Sequence, residues 1–234
     1  MILKPWDQLP ENMRTEAVRP YYDVLKKHQG SLLLKRLFDI VVSFIMLLVA
    51  WPFMLIIAIA IKLDSPGPVI FKQERVTTYG RRFKIWKFRT MVDKAEKLGS
   101  QVTVNHDNRI TRVGHFLRGL RLDEVPQLIN ILKGDMTYVG TRPEVVKYVD
   151  QYTDEMMATL LLPAGVTSEA SIRYKDEERL LEKAVNVDQV YVNDVLPGKM
   201  MYNLTAIKAF SFGEELLTMI RTVLAVLGKK YDDD

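Results

Sequence analysis

The sequence predicts an α+β, mainly helical fold: a monotopic membrane protein with a Pro-broken re-entrant hydrophobic helix, a small β-hairpin and amphipathic interfacial helices. Three observations support this. An uncharged apolar run extends from Ile40 to Ile61, two β-rich segments flank a Tyr-Gly pair, and later segments repeat apolar residues at helical spacing. The 234 residues, 48% hydrophobic and 26% charged, suffice for one core and a membrane element, and exclude a disordered chain.

The apolar run from Ile40 to Ile61 contains no charged side chain. A straight helix of that length would extend about 33 Å, enough to cross the hydrocarbon core of a bilayer. Pro52 lies in its middle, where a proline removes a backbone hydrogen bond and favours a kink. Lys and Arg are nearly balanced across it, with seven in residues 1–39 and eight in residues 62–89. A spanning helix normally has this excess on its cytoplasmic side only.

The balanced flanks favour a re-entrant helix that bends at Pro52 and leaves the membrane on the side where it entered. A spanning helix and a buried helix of a soluble protein are the alternatives. The prediction divides the chain into a polar lead-in at 1–30, the membrane helix at 31–62, a cytoplasmic domain at 63–228 and a polar tail at 229–234.

The cytoplasmic domain begins with two β-rich segments, Val69 to Val76 and Phe83 to Thr90, which predict a hairpin. An apolar stripe between Leu216 and Leu227 predicts a C-terminal helix, either packed in the core or lying flat in the membrane interface. Helical patterns between these elements cover Thr111 to Arg121, the stretch from near Pro126 to Leu132 with Gly134 as its stop, and Glu144 to Leu162.

Two adjacent carboxylates, Asp123 and Glu124, precede a predicted helix N-terminus in a strongly basic window. Helix N-termini and arginines bind phosphate oxygens, and paired carboxylates can hold Mg²⁺ against a diphosphate. This composition is typical of phosphoryl transfer, in which an aspartate can also be the nucleophile. From composition alone, a solvated helix cap with salt bridges is the commoner explanation. The surrounding cations are Lys84, Lys87, Arg89, Arg109, Arg112, Arg118, Arg121, Lys133 and Arg142.

Composition also excludes several classes of protein. The absence of Cys excludes disulfides and thiol chemistry, and no Walker, Rossmann, zinc-protease or serine-hydrolase motif is present. The net charge of +4 suits anionic partners. We expect no nucleic acid among them, because no nucleic-acid motif occurs and the basic residues surround a carboxylate pair.

A co-linear series of motifs resembles the bacterial sugar transferase family, the monotopic phosphoglycosyl transferases. The resemblance covers roughly Leu34 to Thr222 and is densest up to Glu144. The motifs are KRLFDIVVS, LDSPGPVIFKQERV, FKIWKFRTM, RITRVGHFLRGLRLDEVPQLINILKGDM and VGTRPE. The resemblance implies an enzyme of the inner (cytoplasmic) membrane, in contact with membrane lipid, whose catalytic domain lies on the cytoplasmic face. It implies transfer of a sugar-1-phosphate from a UDP-sugar to undecaprenyl phosphate, the first membrane step of exopolysaccharide, capsule or glycoconjugate synthesis.

The resemblance also implies a ping-pong mechanism. Asp123 would attack the sugar-bearing phosphorus, release UMP and form a covalent aspartyl-phosphosugar intermediate, which undecaprenyl phosphate then resolves. Mg²⁺ is the expected cofactor, and Glu124 would assist with the metal or the acceptor phosphate. Lys87 and Arg89 fall in the family's Lys-Phe-Arg motif, and Arg142 is its Pro-Arg-Pro arginine, a phosphate contact.

The remaining candidates come from the same motifs. Arg112 and Arg118 are further candidates for phosphate binding. Asp93 follows Phe-Arg-Thr-Met, where the family often has an Asp, and is a third candidate metal ligand beside the carboxylate pair. Pro52 falls at the family's break in the re-entrant helix, in agreement with the charge of the flanks.

Two departures from the family pattern concern the substrate site. Thr141 stands where Gly-Pro-Arg-Pro has its first proline, and residues 163–169 read PAGVTSE instead of the usual Pro-Gly-Ile-Thr-Gly-Trp stretch. The sugar, the pathway, the role of residues 1–30 and the formation of a homo-oligomer are left open. The alternative function is a non-catalytic, membrane-anchored scaffold or regulator of the same fold.

Overall fold

The computed structural model describes residues 2–95, 107–174 and 186–228. Strands β1 (Ile70–Val76) and β2 (Arg82–Phe88) are antiparallel, and strands β3 (Met136–Val139) and β4 (Ala164–Thr167) are parallel. The helices are α1 (Arg19–Lys27), α2 (Gln29–Asp64), α3 (Arg112–Gly119), α4 (Gln127–Lys133), α5 (Val146–Val149), α6 (Glu169–Arg173), α7 (Val187–Val190), α8 (Leu196–Lys208) and α9 (Phe212–Val226), with a π-helical turn at Tyr191–Val195. The fold is therefore mainly helical with small sheets, as predicted.

The lead-in forms part of the main core. Two short 3₁₀ turns, Trp6–Gln8 and Glu11–Met13, precede α1. Apolar residues of this region lie too far apart for a periodic pattern, yet they pack against the end of a 3₁₀ turn at Met156–Leu161 and against α8. The buried lead-in residues are Leu3, Leu9, Met13, Val18, Tyr21, Tyr22 and Leu25.

Helix α2 is 36 residues long and, within the described residues, is the one helix long and apolar enough to cross a membrane. It continues through Pro52 without interruption, so the predicted break is not present as a gap in the helix. Both ends contact the part of the chain that follows α2. Near the start, Asp39 accepts a hydrogen bond from Thr137 Oγ1 at 2.8 Å, and near the end Ile61 packs with Phe88 and Leu117. The re-entrant path stays a prediction.

The hairpin is confirmed. Strand β1 pairs with β2 in a register from Ile70 opposite Phe88 to Val76 opposite Arg82. A 3₁₀ turn at Thr78–Gly80 joins them, with Tyr79 in the left-handed region at a φ of 58°. The inward face of β2 packs against α4, which places Lys87 beside the turn that precedes that helix.

Between Glu144 and Leu162 the predicted continuous helix is wrong. The chain forms only α5 and the 3₁₀ turn at Met156–Leu161, because it turns between them and brings Ala158 and Leu161 into the core. Strands β3 and β4 flank this segment, and neither was predicted. They approach so closely that a Cβ on Gly165 would lie 2.1 Å from the Gly140 carbonyl oxygen.

The C-terminal helix α9 adjoins α2, where Phe212 and Phe38 form an edge-to-face pair with ring centroids 5.7 Å apart. Its apolar stripe is exposed: Ile220 is 57% and Val223 59% accessible. The packed-core alternative for this stripe is therefore wrong. An interfacial position for the helix stays a prediction.

Candidate active site

The two candidate carboxylates lie in the 3₁₀ turn Leu122–Glu124, at the corner between α3 and α4. Arg121 opens this turn in the left-handed region, at a φ of 55°. The Thr111 side chain caps α3 by accepting a hydrogen bond from Gly114 N at 3.0 Å. Helix α4 begins after Pro126 and ends at Gly134, whose φ of 82° suits a glycine stop. Both helix limits agree with the prediction and fix the position of the corner.

Glu124 is bound by two cations. Its Oε1 lies 2.9 Å from Lys87 Nζ and 2.7 Å from Arg142 Nη2, and its side chain is 11% exposed. Burial by itself would raise the pKa of the Glu124 carboxyl, but Arg142 and Lys87 outweigh burial and hold that pKa well below its usual range. The Glu124 carboxyl therefore stays ionised, and it holds the side chains of Lys87 and Arg142 in place at the corner.

Asp123 has different surroundings, although it is the neighbouring residue. It is 9% exposed, and within the described ranges no cation forms an ion pair with its carboxylate. Burial raises the pKa of Asp123 above its ordinary value of 3.8, the Glu124 charge adds to the rise, and Lys87 and Arg118 oppose it. A buried carboxylate without a bound cation is available for nucleophilic attack.

Arg142 connects the carboxylate corner to strand β4. Besides Glu124, its Nη1 donates to the Val166 carbonyl oxygen at 3.1 Å. The loop that carries it is fixed on both sides, since Gly165 N donates to Thr141 O at 2.8 Å and Arg75 Nη1 donates to Pro143 O at 3.1 Å. The segment that departs from the family pattern, residues 163–169, thus adjoins the candidate site.

The family model for bacterial sugar transferases matches residues 30–229. The chain belongs to the bacterial sugar transferase family. It is 41% identical over 192 residues to the UDP-glucose:undecaprenyl-phosphate glucose-1-phosphate transferase of Escherichia coli (strain K12), covering 79% of this chain and 41% of that protein. It is 36% identical over 216 residues to the UDP-N-acetylgalactosamine-undecaprenyl-phosphate N-acetylgalactosaminephosphotransferase of Aeromonas hydrophila, covering 88% and 48%.

A third relative, the exopolysaccharide production protein PSS of Rhizobium leguminosarum bv. phaseoli, is 51% identical over 113 residues, covering 48% of this chain and 56% of that protein. The matched region spans less than half of the Escherichia coli and Aeromonas proteins.

Arg89, from the family's Lys-Phe-Arg motif, contacts the residues just after α2 and not the carboxylate corner. It is buried, and its Nη1 and Nη2 donate to the carbonyl oxygens of Pro66 at 2.7 Å and Ser65 at 2.6 Å, just after α2. A side chain on Gly67 would collide with the guanidinium. Because its terminal nitrogens are engaged there, this geometry favours a role in holding the end of α2 rather than a phosphate contact.

The other candidates are dispersed. Arg112 is exposed at the first residue of α3, and Arg118 is half-buried near enough to lower the pKa of Asp123. Asp93 is exposed and lies on the Arg89 side, beside Gly67. Within the parts of the chain that the structure describes, no three His, Asp or Glu residues form a cluster that could hold a metal ion. The structure therefore does not bring Asp93 to the carboxylate pair.

The carboxylates of the corner fit Mg²⁺ in one specific way. In phosphoryl-transfer sites Mg²⁺ is commonly bound by one or two carboxylates together with substrate phosphates. Asp123 offers a carboxylate without an ion-pair partner, whereas Glu124 Oε1 is already shared by two cations. The residues present suit an ion held by one Asp123 oxygen and the phosphates of a donor, which leaves the other Asp123 oxygen available for attack.

Sequence reasoning missed one residue that positions the corner. Asn130, fully buried on α4, accepts from Trp86 N at 3.0 Å and donates from Nδ2 to Lys84 O at 2.9 Å. It fixes α4 to β2, the strand that carries Lys87. The one sequence feature that could have indicated Asn130 is an amide side chain on the apolar side of a predicted helix.

Proposed function

We propose that this chain is a phosphoglycosyl transferase that moves a sugar-1-phosphate from a UDP-sugar to undecaprenyl phosphate. The names of its relatives support the reaction class. The observation that carries the proposal is the contrast at the corner: Asp123 is buried without an ion pair, next to a Glu124 that holds Lys87 and Arg142 in place. A nucleophile beside fixed cations is the arrangement that attack on a diphosphate requires.

The chemistry has two half-reactions. An Asp123 oxygen forms a bond to the sugar-bearing phosphorus, and the bond between that phosphorus and the oxygen of UMP breaks, with UMP taking the electron pair. An oxygen of undecaprenyl phosphate then attacks the same phosphorus and restores the Asp123 carboxylate. Lys87 and Arg142, ordered by Glu124, offset the charge that develops on the phosphoryl oxygens. Mg²⁺, when bound, supplies charge neutralisation for the donor diphosphate.

The contacts of α2 support the membrane arrangement that we propose. A helix that only spans the bilayer would have its two ends on opposite sides, but both ends of α2 bind the same domain. Arg36 donates to Ile131 O and Leu132 O at 2.6 and 2.8 Å near the start, while Ser65, just past the end, binds Arg89. These contacts support a re-entrant helix whose exposed apolar face, with that of α9, enters one leaflet on the cytoplasmic side of the inner membrane.

The test is UMP release from a panel of UDP-sugars with Mg²⁺ and undecaprenyl phosphate. We expect lipid-dependent release with at least one sugar for the wild type, and its loss in Asp123→Asn. Asp150→Asn, the same change at an exposed position, is the matched control and should keep wild-type turnover. UMP release by Asp123→Asn would contradict the assignment of Asp123 as the nucleophile. If the wild type releases no UMP with any sugar of a complete panel, the scaffold alternative would be supported.

A further inference from the structure

A cavity of about 700 Å³ lies between the lead-in, the start of α2, the hairpin turn and the end of α4. Its wall is strongly basic and, among the described residues that line it, contains a single carboxylate, Asp39. The cations that line it are Lys4, Lys35, Arg36, Arg81 and Lys133.

Two of these cations are neutralised within the protein. Lys35 pairs with Glu215 at 2.6 Å, and Arg81 pairs with Asp135 at 2.8 Å. Asp39 itself is engaged by the Thr137 hydroxyl and the Tyr138 N–H.

The three remaining cations have no carboxylate partner within the described residues. Arg36 donates to backbone carbonyls, while Lys4 and Lys133 lie over the rings of Tyr79 and Trp86, each 4.8 Å from the centroid. The cavity therefore concentrates uncompensated positive charge, which suits an anion.

The cavity also has an apolar side. Leu9 and Met136 form part of its wall, and the start of α2 at its edge exposes Leu33, Leu37 and Ile40. The uncharged run of α2 begins at the same turn. A ligand with an anionic head and hydrocarbon chains would satisfy both surfaces at once, with its head at the level where the helix enters the lipid.

This cavity is separate from the carboxylate corner. Lys133 ends α4, while Glu124 precedes its first turn, so about 10 Å of helix lies between them. Arg81 and Lys87 are six residues apart along the hairpin, roughly 20 Å of strand. None of the lining residues contributes a contact to Glu124 or Asp123 in the described parts of the chain.

We propose that this cavity binds the phosphate of an anionic phospholipid, with the ammonium groups of Lys4 and Lys133 beside the phosphate, Arg36 adding positive charge to the wall, and the acyl chains along the exposed face of α2. The site would select anionic lipid at the entry of the membrane helix, and it uses Lys4 of the lead-in. The inference does not depend on the sugar-phosphate reaction.

The experiment titrates the detergent-solubilised full chain with dihexanoyl-phosphatidylglycerol, dihexanoyl-phosphatidylcholine and inorganic phosphate, with calorimetric detection. Lys4→Ser/Lys133→Ser removes two exposed cations from the cavity, and Lys26→Ser/Lys27→Ser removes the same charge from the end of α1. We expect the first pair to weaken phosphatidylglycerol binding roughly tenfold or more and the second to leave it unchanged. Thermal unfolding of both variants verifies that they are folded.

Tighter binding of phosphatidylglycerol than of either other ligand supports the proposal. Three results would overturn it: equal affinity for the two lipids, equal loss in both variants, or inorganic phosphate bound as tightly as phosphatidylglycerol. The last result would identify a site for free phosphate instead of a lipid.

Discussion

The two neighbouring carboxylates have opposite surroundings. Glu124 accepts hydrogen bonds from Lys87 and Arg142, whereas Asp123 is buried and forms no ion pair in the described part of the chain. Their pKa values accordingly move apart, upward for Asp123 and downward for Glu124. Such divergence commonly separates the roles of two carboxylates in one site. In the proposed mechanism Asp123 is accordingly the group that reacts, and Glu124 is the group that orders the two cations.

The first prediction concerns pH. Only the ionised Asp123 can attack, so kcat/KM for UMP release should rise with pH through the raised pKa of that carboxyl, which lies above 3.8. Because the Glu124 charge contributes to this rise, Glu124→Gln should move the acid limb to lower pH. Profiles of kcat/KM from about pH 4 to about pH 8 compare the acid limb of the wild type with that of Glu124→Gln. An acid limb at or below the ordinary carboxyl value in the wild type would contradict the assignment.

The second prediction concerns Arg142. Its guanidinium reaches both Glu124 and the Val166 carbonyl oxygen, a two-point contact that a lysine cannot reproduce. Arg142→Lys should lower kcat by about 100-fold while leaving thermal unfolding nearly unchanged. Arg82→Lys, at an exposed position on β2, is the control and should keep wild-type kcat. Equal kcat values for Arg142→Lys and Arg82→Lys would contradict a catalytic role for Arg142.

At the scale of elements, the end of α2 is held by Arg89. Its guanidinium donates to Ser65 O, Ser65 Oγ and Pro66 O within 2.9 Å. Helix C-termini leave carbonyl groups without intrahelical partners, and a buried arginine placed beyond the last turn satisfies neighbouring acceptors with charge-assisted hydrogen bonds. Because Arg89 directly follows β2, this contact couples α2 to the strand that carries Lys87.

The third prediction follows from that contact. Arg89→Met removes charge-assisted bonds from buried carbonyl groups and should lower the free energy of unfolding by about 3 kcal/mol. Arg14→Met, at an exposed position, should change it by less than about 0.5 kcal/mol. Denaturant unfolding in detergent compares the two. If Arg89→Met unfolds like the wild type but fails to bind UDP-sugar, Arg89 is a phosphate ligand after all.

The sequence anticipated the elements that have strong end signals. The hairpin turns at Tyr79-Gly80, and α4 lies between Pro126 and Gly134, so both could be predicted. Strands β3 and β4 could not, because four residues are too short for an alternating pattern and their parallel pairing depends on residues far apart in the chain.

The candidate site was anticipated through its motifs, but a motif does not give the direction of a side chain. Lys87 and Arg89 lie two residues apart, and only Lys87 contacts the carboxylate corner. Asp93 likewise belongs to the motif region and lies outside the corner. The short loop between Gly140 and Glu144 places Arg142 correctly because β3 and β4 fix it, and those strands carried no sequence signal.

At the scale of the whole molecule, α2 and α9 form one apolar surface. The Phe38–Phe212 ring pair and the buried Lys35–Glu215 ion pair join the two helices, and both expose long apolar faces. A contiguous exposed apolar surface of this kind is typical of a membrane contact. In the proposed re-entrant arrangement, the domain that binds both ends of α2 lies on one side of the bilayer.

The fourth prediction tests this topology. The chain contains no Cys, so single cysteines at Lys26 and Lys72 report the two flanks of α2 separately. Both should react with a membrane-impermeant reagent from the cytoplasmic side only. A cysteine at Asp150, on the domain surface, gives the reference for that side. Labelling of Lys26→Cys and Lys72→Cys from opposite sides would instead indicate that α2 spans the membrane.

The most direct test of Asp123 as the nucleophile is the mass of the intact protein after incubation with an accepted UDP-sugar and Mg²⁺ in the absence of undecaprenyl phosphate. We predict that the mass increases by one phosphosugar, located on Asp123, and that this increase is absent in Asp123→Asn and is removed when the lipid acceptor is added. Wild-type turnover with no adduct, or an adduct on another residue, would contradict it.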